Sequence, residues 1–110
     1  MRHFIIDQLS REERQAVVGH LQKNAQASPI NDLFWLPLPD ELQTASQNTH
    51  PRCGPFYLAI EVTEESVAFE LLVRSQSTLH CSCVAYVSHS QRDFLLHFID
   101  TMIDALHLRA

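Results

Sequence analysis

The sequence predicts an α+β domain: a three-stranded antiparallel β-meander flanked by an N-terminal helix and a C-terminal helix packed on the sheet. Three observations carry this expectation. Phe94, Leu95, Phe98, Ile99, Met102, Ile103 and Leu106 recur at three- and four-residue spacing, the period of a helix with one buried face. From Pro55 the apolar period changes to two, in three runs separated by "TEES" and "SQST". Ser10 is followed three residues later by Glu13, a pair able to satisfy free N–H groups at a helix start.

The elements follow in order. A helix is expected over about residues 10–25, with Val17, Val18, Leu21 and Ala25 on its apolar face. Pro29 ends that pattern. Pro37 and Pro39 then hold Leu36 and Leu38 in extended conformation, so Leu33 to Pro39 reads as an ordered apolar ribbon. Phe34 and Trp35 on this ribbon pack either on the chain's own core or against a partner. "PDELQTA" predicts a short helix. Strands are expected at about 56–63, 67–74 and 78–87, and a cap at Ser88 or Ser90 opens the last helix.

A chain of 110 residues suits one domain spanning 1–110 and can bury a core without disulfides or metal. Apolar residues are 45% and charged residues 19%, the profile of a packed protein and not of a disordered one. The net charge of -5, with eight scattered basic residues, excludes a general nucleic-acid binder and a polybasic membrane patch. "MRHFIIDQLSREER" lacks the apolar stretch of a signal peptide, and the expected compartment is the cytoplasm. Three cysteines leave at least one thiol free, which suits a reducing setting.

Strand parity governs the reading of "LHCSCVAY". With "EE" as a turn, Thr63 pairs with Ser66, and Phe56, Leu58, Ile60, Val62, Val67, Phe69, Leu71 and Val73 share the core face. An odd-length turn near Gln76 adds Leu79, Cys81, Cys83, Ala85 and Val87 to that face, Cys81 beside Leu71 and Cys83 beside Phe69. The two thiols then behave as small core hydrophobes, and no cofactor is expected. His80, Ser82, Val84 and Tyr86 point the other way.

One metal alternative remains. "HPRC" places His50 and Cys53 three apart, and with Cys81 and Cys83 they make four soft donors of the kind zinc prefers. Against it stands the C-x-C spacing, which inside a regular strand makes poor tetrahedral geometry. A second alternative is a thiol-dependent enzyme, with Cys53 as nucleophile and His50 as its base. Asp93, His97, Asp100, Asp104 and His107 share one arc of the last helix, read as its solvated face. Glu70 falls diagonal to His80 on the outer sheet face, an arrangement read as a surface ion pair. Neither G-x-S-x-G nor H-E-x-x-H occurs.

The functional expectation is a small cytoplasmic, non-catalytic interaction or regulatory module, a homodimer with a protein partner, adaptor- or chaperone-like. Its contact residues are expected on the outer sheet face and the ribbon: Phe34, Trp35, Tyr57, Leu72, Val84 and Tyr86. The layout is similar to that of the secretion-type chaperones, which bind unfolded segments of a partner. That likeness is one of architecture and is carried by no motif.

Overall fold

The computed structural model describes residues 2–109. It shows an α+β fold in which two helices cover one face of a six-stranded antiparallel sheet. In chain order the elements are β1 (His3–Ile6), α1 (Arg11–Asn24), β2 (Gln26–Ala27), β3 (Leu33–Pro37), α2 (Ala45–Asn48), β4 (Phe56–Val62), β5 (Val67–Ser75), β6 (Ala85–Tyr86) and α3 (His89–Leu106). Single 3₁₀ turns lie at Asp40–Leu42 and Pro51–Cys53. The strands run β1-β5-β4-β3-β2, and β6 also pairs with β5.

Local chemistry accounts for the helix starts. At α1 the Glu13 N–H donates to the Ser10 hydroxyl at 3.1 Å, and the Ser10 N–H donates to the Glu13 carboxylate at 3.0 Å. Thr44 with Gln47 and Ser88 with Gln91 build the same reciprocal cap on α2 and α3. Behind the caps, Val17 and Leu21 of α1 and Leu95, Ile99 and Met102 of α3 are buried against the inner face of the sheet. The exposed arc of α3 carries Asp93, His97, Asp100 and Asp104, whereas His107 lies just beyond the helix as its left-handed C-cap and does not continue the arc.

The β4–β5 hairpin turns at Glu64 and Glu65, as parity predicts. Val62 faces Val67, and the Thr63 N–H donates to the Ser66 carbonyl at 2.8 Å. Phe56, Leu58, Ile60, Val62, Val67, Phe69 and Val73 all point inward. The register jumps between Leu58 and Ile60, where β5 holds two more residues than β4. That bulge leaves Leu71 only half-buried and shortens the path between Glu70 and Arg74, so their side chains meet in a bidentate ion pair on the outer face.

The sheet is larger than the expected three-stranded meander, for two reasons. The ribbon joins it as β3, antiparallel to β4, with Phe34, Leu36 and Leu38 buried. The N-terminal residues add β1, with His3 opposite Glu70 and Ile6 opposite Val67. The expected third strand over 78–87 does not form. Only Ala85 and Tyr86 pair with β5, Tyr86 opposite Leu72, so Cys81 does not lie beside Leu71 nor Cys83 beside Phe69. Leu79 is 76% exposed instead of buried, Ala85 is exposed, and His80 lies on the loop, away from any strand register with Glu70.

The reason is visible at Ser75. Its hydroxyl accepts from the N–H groups of Ser77 and Thr78 at 3.0 and 3.2 Å, a side-chain alternative to the strand ladder that bends the chain away. A run rich in Ser and Thr offers this route, and pattern alone does not register it.

Candidate metal centre

Freed from the sheet, the loop between β5 and β6 carries Cys81 and Cys83 towards the 3₁₀ turn that follows α2. In that turn the Cys53 N–H donates to the His50 carbonyl at 3.0 Å. His50 stands at the N-cap of this turn and Cys53 at its end, one turn apart. On the facing loop the Val84 N–H donates to the Cys81 carbonyl at 3.0 Å, closing a tight turn around Ser82 and Cys83. Here C-x-C spans a turn. The objection that C-x-C inside a regular strand makes poor tetrahedral geometry therefore falls.

The donor atoms of His50, Cys81 and Cys83 lie within 4.8 Å of one another. Cys53 joins through Cys81, Sγ to Sγ 3.6 Å. Two thiolates at about 2.3 Å on one tetrahedral zinc would lie roughly 3.8 Å apart, close to this spacing, at which the Cys53 thiol also donates to Cys81 Sγ. The four residues named from spacing are brought together from segments some thirty residues apart.

Groups around these donors orient them and treat the two loop cysteines unequally. The Nδ1 of His50 lies 2.5 Å from the Ser46 carbonyl, which can only accept, so Nδ1 is engaged as a donor and Nε2 is the nitrogen left for a ligand. Imidazole ligands are oriented in this way in metal sites. The Cys83 N–H donates to Cys81 Sγ at 3.5 Å, support that suits a thiolate. Hydrogen bonding from the Cys83 thiol and N–H, aided by Cys53 and His50, draws the Cys81 thiol down to about 7. Burial pushes Cys83 up to about 12, with the neighbouring sulfurs adding to it. A metal cation would reverse that preference and deprotonate the buried thiol.

Both loops are anchored to the core. Gln47 and Gln91 are essentially inaccessible. Gln47 Nε2 donates to the Cys83 carbonyl at 3.0 Å, while Gln91 Nε2 donates to Gln47 Oε1 and to the Leu42 carbonyl, each at 2.9 Å. On the other side the Ser75 hydroxyl donates to the Cys53 carbonyl and the Ser77 hydroxyl to that of Gly54, the latter at 2.9 Å. Sequence reasoning missed Gln47, Gln91 and Ser75. The available signal was the capping pattern at Thr44 and Ser88, whose third residue is Gln and therefore has an amide N–H₂ left to use.

Comparisons with protein-family models, curated proteins and solved structures return no match.

The expected contact residues divide. Phe34 is 5% exposed and belongs to the chain's own core, one of the two outcomes foreseen for the ribbon. Trp35 and Tyr57 stack on the outer sheet face with ring centroids 4.7 Å apart, beside a groove of about 320 Å³ that also takes in His3 and Arg74. Leu72 and Val84 are half-buried. Tyr86 is exposed under the guanidinium of Arg2, 4.1 Å from its ring centre. Among the described residues no helix is long and apolar enough to cross a membrane.

Proposed function

We propose that this chain is a non-catalytic, cytoplasmic module built around a structural zinc site, with His50 Nε2 and the sulfurs of Cys53, Cys81 and Cys83 as ligands. One observation carries the reading: four soft donors, and no carboxylate, converge from two loops, with one sulfur pair close to the separation a tetrahedral ion requires. Four protein ligands close the coordination sphere, the arrangement of a structural site and not of a catalytic one that keeps a position for water. The ion would pin the loop between β5 and β6 to the 3₁₀ turn before β4, ordering chain that has little sheet pairing of its own.

The thiol-enzyme alternative has less support, because His50 gathers with Cys81 and Cys83 and Cys53 reaches the group through Cys81. Metal analysis of protein purified without chelator or affinity tag tests the proposal. About one zinc per chain is expected, together with a cobalt form showing tetrahedral d–d bands and thiolate charge transfer. Metal-free protein that takes up neither ion would remove the reading.

A second reading concerns the outer sheet face, since both helices pack on the opposite one. The Trp35–Tyr57 pair stands on this uncovered side and supports a protein-contact role. Trp35→Ala should then alter partner capture without altering the melting temperature. A change in melting temperature alone would make the pair merely structural.

A further inference from the structure

The edge of the sheet at β1 has an unsatisfied side. The Leu71 N–H donates to the Arg2 carbonyl at 2.9 Å, which fixes the parity of the strand. The backbone groups of residues 2, 4 and 6 face β5, so the N–H and C=O groups of His3 and Ile5 face outward. The stretch is apolar, "HFII", with no Lys or Pro to discourage pairing, and Ile5 is 57% exposed and Phe4 37%.

We propose that β1 pairs antiparallel with β1 of a second copy of the chain across a two-fold axis at Ile5, joining two sheets into one. Parity restricts the register, because both members of a hydrogen-bonded pair must face outward. A dyad through Ile5 places Ile5 opposite its own mate and His3 opposite Asp7 of the partner subunit. Side chains at 3 and 5 share the outer face, and Asp7 follows directly where the strand ends. The two isoleucines then meet at the axis, flanked on each side by an imidazole and a carboxylate of complementary character.

The inner face agrees. Phe4 of each copy lies opposite the partner's Ile6, over a groove of about 810 Å³ whose apolar lining includes Phe4, Ile6, Leu9 and Ile103. One copy leaves that groove open beside the strand, and a second copy brings an aromatic ring to it. The inference is independent of the zinc reading, since none of these residues touches the sulfur cluster.

Sedimentation equilibrium on the full chain tests it, with circular dichroism as a check on folding. The expected result is a dimer that Ile5→Lys converts to monomer with an unchanged spectrum and melting profile, as suits an outward, exposed position. His3→Asp sets two carboxylates against each other at both ends of the ribbon and should weaken the dimer about tenfold or more. The double variant His3→Asp with Asp7→Lys should restore it. A monomeric parent chain overturns the proposal, as does a dimer indifferent to both Ile5→Lys and His3→Asp, which would place the contact elsewhere.

Discussion

Cys81 and Cys83 are two residues apart and meet opposite conditions. Cys81 is half-exposed and receives the Cys83 N–H, while Cys83 is buried with its carbonyl held by Gln47. The consequence for metal-free protein is differential reactivity. Alkylation at Cys81 should rise with pH and level off above a midpoint near 7, because the thiolate is the nucleophile and its proton is already loosened. Cys83 should resist until the chain unfolds. Mass-spectrometric labelling across pH 6 to 9 reads both, and a Cys81 midpoint near the ordinary thiol range, about 8.5, would contradict the hydrogen bonding described. At Gln47, replacement by Ala leaves the Cys83 carbonyl and one Gln91 N–H without partners in a closed interior. A loss of about 1–3 kcal/mol is expected in urea titration, with weaker zinc retention as a second readout.

Each element combines a local start with a long-range use. In α3 the Ser88 hydroxyl accepts from Gln91 N–H at 3.3 Å, and the same Gln91 side chain then reaches α2, so the cap and the interior network share a residue. Ser88→Ala should cost about 1 kcal/mol through the cap alone. Leu95→Ala, which opens a void under the inner sheet face, should cost about 2–5 kcal/mol. Thermal melts of the two variants separate the contributions, and an equal loss in both would mean that the cap acts mainly through Gln91. The ribbon shows the same division in β3: its prolines were readable as extended chain, but the pairing of Trp35 with Ala59 and of Pro37 with Tyr57 required a neighbour.

For the molecule as a whole, the zinc proposal concerns one corner. β4, β5, α1 and α3 share a continuous core that includes Leu21, Leu58, Ile60, Phe69 and Ile99, in which Cys83 is one of nineteen buried apolar members among the described residues. Chelation should therefore leave the fold assembled while residues 50–54 and 76–84 lose protection from hydrogen exchange. Mass-spectrometric exchange with and without chelator checks this, and uniform loss across β4 and β5 would instead mean that the ion supports the entire domain.

By itself the sequence determined α1, α3, the β4–β5 hairpin and the identity of four soft donors, whereas the short helix expected over "PDELQTA" is a 3₁₀ turn at Asp40–Leu42 and α2 follows it. Helix starts depend on residues three apart, the hairpin on a two-residue turn, and the core faces on periods of 3.6 and 2, all of them local. It did not determine that His50, Cys53, Cys81 and Cys83 meet, nor that β1 and β3 complete the sheet. Strand alternation placed residues 78–87 in a regular strand because Val, Cys and Tyr fit a pleated surface as well as a turn. The tertiary structure decided otherwise: the Ser75 hydroxyl offered backbone N–H groups a competing acceptor, and Gln47 with Gln91 held the Cys83 carbonyl from across the core. The Ser75 bonds are local but follow no period, and the Gln47 and Gln91 bonds join residues 36 and 44 apart, so strand alternation registers neither.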